Sequence, residues 1–169
     1  MQLPNTLVVP AAGAQLPYAW VREEYTGSAS PTGGGGTPTA ATWSTRTLNV
    51  EVSDTSNILT LSSNQITLAA GTYWVRAWGA GVNSFNAKAR LQNVTDTATV
   101  VLGNNTYQVV GIGAHSMIAG TFTIGASKAL EIQTYQERSE GTYGLGWANG
   151  IAGETLTGVF CTAEFWKTA

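Results

Sequence analysis

The sequence predicts a single all-β domain, either a two-sheet sandwich or a closed barrel. Three observations lead there: scarce charge, many short apolar runs of strand length, and turn residues spaced regularly between them. Charged residues are 11% of the 169, far below the roughly 25% of an average globular domain. Thr, Ser, Asn, Gly and Ala fill the places they leave. Long amphipathic helices need Lys, Glu, Arg and Leu on their wet faces, whereas strands can carry Thr-rich solvent faces. Hydrophobic residues are 43%, enough for a full core in a chain of this length.

Taken in order, residues 1–17 read as an extended arm. Pro4, Pro10 and Pro17 remove backbone donors and fix φ, so this segment pairs only at an edge or lies along another surface. One reading is a frayed end; the sharper one is an anchor, with Leu7, Val8 and Val9 making the contact and ordering on binding. Tyr18–Tyr25 is a predicted strand. Residues 26–42, with Gly33 to Gly36 between Pro31 and Pro38, read as a flexible surface loop. No Gly-Lys-Ser/Thr follows these glycines, so they are no phosphate cradle.

From Thr42 onward the predicted strands are Trp43–Val52, Ile58–Leu61, Gln65–Leu68, Thr72–Ala80 and Phe85–Val94. A turn at Thr95-Asp96-Thr97 precedes Ala98–Leu102, which Gly103-Asn104-Asn105 is expected to close. Ser116–Ile124, Ala129–Gln136 and Glu154–Lys167 complete the set, the last alternating through Val159, Cys161, Ala163 and Phe165. The domain is therefore expected to span residues 18–169.

The order of these features resembles C1q/TNF-like jelly rolls. The resemblance rests on Ile66-Thr67-Leu68-Ala69-Ala70-Gly71-Thr72-Tyr73-Trp74-Val75 and on Ala119-Gly120-Thr121-Phe122-Thr123-Ile124. It also rests on Ala129 to Gln133, Gly144-Leu145-Gly146-Trp147 and the closing run Val159 to Lys167. Val21 to Glu24, Trp43 to Asn49, Leu61 to Asn64 and Ala89 to Thr95 further resemble small phage-encoded proteins of this type. The resemblance covers residues 18–168. It implies a two-sheet antiparallel jelly-roll sandwich that packs as a homotrimer without catalysis, with Phe122 and Ile124 on the strand that enters the trimer core. It also implies a place on a bacteriophage virion, as capsid decoration or a tail-fibre component assembled in the host cytoplasm beside other virion proteins. A fold carries many functions, so the surface bound stays open.

The chemistry-capable residues agree with a non-enzymatic reading. The single His115 sits in a turn with no nucleophile patterned beside it. One His and one Cys exclude a Cys/His metal site, and Asp54 and Asp96 lack the spacing of a calcium loop. Glu23 and Glu24 face opposite sides of a strand, and Glu137 and Glu140 flank Arg138 with which they can pair, so a two-carboxylate hydrolase is disfavoured. Gly144 to Gly150 departs from the dinucleotide fingerprint, and no strand–helix unit surrounds it. Cys161, inside an alternating run, reads as a buried inert thiol. No cofactor is expected. Asn93-Val94-Thr95 and Asn104-Asn105-Thr106 fit the glycosylation pattern but read as turn residues.

Net charge is −2, with eight scattered cations. No nucleic-acid track, membrane insertion or targeting segment is expected from that pattern. The aromatic residues are the informative ones. Trp74 and Trp78 alternate against Tyr73, Val75 and Ala77, so one set faces the core and the other a second cover. We expect the tryptophans at a subunit interface; the alternative turns them inward and Tyr73 outward. A rival use of aromatics is recognition of host surface glycans by loop residues Tyr143 and Trp147.

Overall fold

The computed structural model describes residues 15–26, 36–109, 112–139, 144–146 and 157–169. Among these residues every regular element is a strand. In chain order they are β1 (Tyr18–Thr26), β2 (Thr42–Thr45), β3 (Val50–Ser53), β4 (Leu59–Ser62), β5 (Gln65–Leu68) and β6 (Gly71–Val82). Then come β7 (Phe85–Asn93), β8 (Ala98–Gln108), β9 (Gly113–Ile124), β10 (Lys128–Gln136) and β11 (Thr157–Lys167).

They form two antiparallel sheets. One runs β3-β1-β11-β6-β9, and the other β4-β5-β10-β7-β8 with β2 added against β10. The sheets face each other across one apolar layer. Ala19 and Val21, Tyr73, Val75 and Ala77, Ile118 and Phe122, and Cys161, Ala163 and Phe165 enter it from the first sheet. Ile66, Leu68, Ala89, Leu91, Leu130 and Ile132 enter it from the second. Fully burying the Val, Leu, Ile and Phe side chains among these contributes about 1.5–3 kcal/mol each. The alternation read from the sequence is the alternation observed in β6, with Tyr73 inward and Trp74 outward, and in β11 from Cys161 onward; before that the register shifts, and Phe160 rather than Val159 is buried.

Local chemistry explains the connections. Ser63 and Asn64, both at positive φ (50° and 67°), make the two-residue turn between β4 and β5, whose twist matches the flanking strands. The Asn93 and Asp96 side chains close the β7–β8 turn on each other. Asp54 accepts the amides of Ile58 and Leu59, shaping the entry to β4.

Three sequence expectations are corrected. First, Trp43–Val52 is not one strand: β2 pairs with β10 in one sheet and β3 with β1 in the other. The chain crosses between the sheets at Arg46 to Asn49, where Arg46 and Leu48 are both buried. Second, Gly103-Asn104-Asn105 does not end a strand, because β8 continues to Gln108. The register slips between Lys88 and Arg90 of β7, which marks a bulge there. A Cβ on Gly103 would collide with the carbonyl oxygens of Met117 and Ala89, so the backbones approach too closely for a side chain. Asn104 Oδ1 then accepts the Met117 amide at 2.6 Å, and Ser116 Oγ donates to the Asn104 carbonyl at 2.6 Å. These bonds stitch the edge of one sheet to the edge of the other.

Third, the end of the glycine-rich segment is tied down. Pro38 is buried, Ser139 donates to its carbonyl, Ala41 donates to Gln136, and Leu145 donates to Gly36. The rest of that segment and the arm residues Leu7, Val8 and Val9 lie outside the described residues.

Candidate functional site

The outer face of the five-stranded sheet is built from alternate residues of β1, β11, β6 and β9, and the strand register sets them in rows. Tyr18, Trp166, Trp74 and Thr121 form one row. Trp20, Glu164, Arg76 and Ala119 form the next, and Arg22, Thr162, Trp78 and Met117 the third. Four of the chain's six tryptophans therefore stand on one sheet face. An outer sheet face that meets only water carries polar residues.

These rings are held in place. Tyr18 and Trp166 pack at 5.1 Å, and Trp20 donates its indole N–H to Thr162 Oγ1 at 2.6 Å. The Arg22 guanidinium lies 3.9 Å over the Trp20 ring. Arg76 pairs with Glu164 at 2.6 Å, and Glu164 also accepts from the Tyr18 hydroxyl at 2.9 Å. Burial and that hydrogen bond push the Tyr18 phenol up to about 12. His115 lies 4.5 Å from Trp78 and loses part of its water shell there; this desolvation, with the charge of Arg46, lowers its pKa. Among the described residues Trp74 has no such partner, and it is 42% exposed.

A second apolar feature lies at the adjoining edge. Leu102 and Tyr107 of β8, Met117 of β9, and Val109 and Ile112 between them are all exposed. Where the two sheet edges meet, these large apolar side chains stand together in solvent.

Of the residues expected at a subunit interface, Trp74 and Trp78 do stand outside the sandwich. Phe122 and Ile124 do not: both are buried on the opposite face, with Phe122 stacked on Tyr73 at 5.6 Å. Their strand does lie at the sheet edge, but its alternation turns Thr121 and Thr123 outward instead. The loop residues Tyr143 and Trp147 lie outside the described residues.

The remaining chemistry-capable groups have structural roles. Glu137 holds the Asn86 amide at 2.7 Å, and Glu140 lies outside the described residues. Asp96 pairs with Lys128, whose hydrogen bond holds its carboxyl below the usual range. Burial raises the Cys161 thiol to about 12 and leaves it a poor nucleophile. Sequence reasoning missed the pair at the centre of the fold, Arg46 with Glu23. Its only sequence signal is an arginine at an inward position of an alternating run.

No family model matches the sequence, and no curated protein matches it. Solved structures match in shape. The chain is similar to the globular domain of zebrafish complement 1qA protein, with TM-score 0.55 and 11% identity over 92% of this chain and 98% of that one. It is similar to murine APRIL, with TM-score 0.58 and 8% identity over 90% and 99%. It is also similar to PRD1 vertex protein P5, with TM-score 0.51 and 14% identity over 91% and 99%. Likeness at this identity speaks for the fold alone, and with the two antiparallel sheets it makes this chain an all-β, C1q/TNF-like jelly roll.

Proposed function

We propose that the chain is a non-catalytic structural protein of a bacteriophage particle surface, a capsid decoration or fibre component, that assembles as a trimer. The observation that carries this reading is the tryptophan-rich outer face of the five-stranded sheet, together with the apolar edge at β8 and β9. The two patches meet at Met117 beside Trp78 and differ in their other members, so pairing the edge of one copy with the face of the next is a heterologous contact that closes when the rotation fits a ring. Leu102 and Met117 of one copy would then cover Trp74 and Trp78 of its neighbour. A contact of standard size buries about 800 Å² per partner, and four tryptophans on one face supply suitable anchors.

Attachment to the particle is assigned to the arm, residues 1–17, through Leu7, Val8 and Val9. The similarity to a vertex protein supports a place on a virion, as do the sequence resemblances at Val21 to Glu24 and Ala89 to Thr95.

Light scattering on the purified protein tests the assembly. Three copies of 17.7 kDa give about 53 kDa, and a species of 17.7 kDa at micromolar concentration overturns the reading. Trp74→Ala combined with Met117→Glu should return the mass to one copy with the far-ultraviolet spectrum unchanged, since both residues are exposed in the single chain. Removing residues 1–17 should abolish particle attachment and leave the fold intact; undiminished attachment sinks the anchor.

A further inference from the structure

The outer face of the second sheet carries a different kind of surface. The register places Trp43, Tyr135, Lys88 and Asn105 in one row across β2, β10, β7 and β8. Asn86 and Tyr107 stand beside it in the next row. Between them lies a hollow of about 200 Å³ lined by Asn86, Ala87, Lys88, Asn105 and Tyr135. That is smaller than the roughly 300–1,000 Å³ of a drug-sized pocket and suits a single polar ring.

The aromatic wall is preorganised. Tyr135 stands edge-on to Trp43 at 5.6 Å, and the Arg90 guanidinium lies 4.0 Å over Trp43. Arg90 is itself fixed by two hydrogen bonds to Gln133 Oε1, at 2.8 and 3.0 Å, and one to Thr99. A ring held this way loses little freedom on binding.

The polar side of the hollow is unspent. The chain has eight cations. Arg22, Arg46, Arg76 and Lys128 are in ion pairs. Arg90, Arg138 and Lys167 lie over aromatic rings. Among the described residues Lys88 alone has neither kind of partner, and it stands in the hollow. The Asn105 amide also has no hydrogen-bond partner among the described residues. Asn86 donates its side-chain N–H to Glu137 and accepts the Glu137 amide on its backbone carbonyl; among the described residues only its side-chain oxygen has no donor. A stiff ring, two amides and an unpaired ammonium thus converge on one small space.

We infer that this hollow binds an acidic sugar of a glycan, with the sugar's C–H face against Tyr135, its hydroxyls on Asn86 and Asn105, and its carboxylate on Lys88. The Tyr135 ring offers an apolar face to the sugar's C–H groups, and the amide and ammonium groups match hydroxyls and a carboxylate. The site lies on the opposite sheet from the tryptophan-rich face and does not include Trp74 or Trp78.

The test is a panel of oligosaccharides ending in uronate or sialate, with neutral lactose and free acetate as controls, titrated against the full chain by calorimetry. At least one acidic sugar should bind saturably, about tenfold or more tighter than lactose or acetate. Lys88→Gln should erase the preference for acid, and Tyr135→Ala should weaken acidic and neutral sugars alike. Trp74→Ala should leave binding unchanged whatever it does to the mass. No saturable binding of any acidic sugar up to ~10 mM, binding of acetate as tight as of the sugar, or full binding by both Lys88→Gln and Tyr135→Ala overturns the inference.

Discussion

Arg46 and Glu23 meet at 2.7 Å inside the sandwich, with side chains 0% and 4% exposed. Nε and a terminal nitrogen of Arg46 both reach Glu23 Oε2, and the remaining donors go to the carbonyls of Ala80, Leu145 and Phe160. Arg46 stands where the chain crosses from one sheet to the other. One side chain therefore ties the crossover to β1, β6, β11 and the Gly144 to Gly146 segment.

Removing one member of this pair leaves a buried charge without its partner. Arg46→Met is expected to destabilise the fold by about 3–5 kcal/mol, read as a fall in the urea midpoint. Arg46→Met with Glu23→Leu removes both charges and should recover a substantial part of that loss, because apolar pairs of similar volume replace buried ion pairs well. Equal midpoints for the single and double variants would show that the charge plays no part.

The close approach at Gly103 makes a sharper steric prediction. Adding one methyl there, in Gly103→Ala, sets a Cβ against the Met117 and Ala89 carbonyls and should cost about 1–3 kcal/mol. The strain falls where Asn104 binds the Met117 amide. Amide exchange should therefore accelerate at Met117 before it does in the β10–β7 ladder. A variant as stable as the parent, with Met117 still protected, would refute this.

His115 predicts a pH dependence. Desolvation against Trp78, and then the Arg46 charge, lower its folded pKa below the ordinary 6.5. The folded state thus favours the neutral ring and binds fewer protons than the unfolded chain. Its contribution to stability is complete above the unfolded value and is lost as the pH falls through the lower folded value. Melting temperatures should drop between about pH 7 and pH 5 in the parent and less so in His115→Asn. Asp96 and Glu131 both have lowered pKa values: the Lys128 hydrogen bond acts on Asp96, and hydrogen bonds from Thr45, Gln133 and Gln65 outweigh burial at Glu131. They titrate in a more acidic range and are common to both proteins, so the difference between the two isolates His115.

The strands most legible in the sequence were those with one buried and one wet face. Gln65–Leu68 was read with its observed bounds, and Thr72–Ala80 differs only at its ends. Alternation reports which residues share a face, but not which sheet a strand joins. That is why Trp43–Val52 read as one strand: Arg46, Leu48 and Val50 keep the period through the crossover. Asn104 and Asn105 read as a turn because their side chains favour turns, while their use here is to bridge two sheet edges. Phe122 and Ile124 were assigned to an interface through a family likeness, yet alternation within their own strand turns them inward.

The sequence by itself determined the all-β class, the division of β6 into two opposed sets, and the burial of Cys161. Each of these follows from the two-residue period of a strand and from a composition that cannot clothe helices. Only the tertiary structure decided what depends on residues far apart in the chain. Glu23 meets Arg46 across 23 positions, Trp20 shares a sheet face with Trp166, and Tyr135 shares a row with Lys88 and Asn105. Pairing and register set those neighbours, and a local pattern carries no record of which strand will lie alongside.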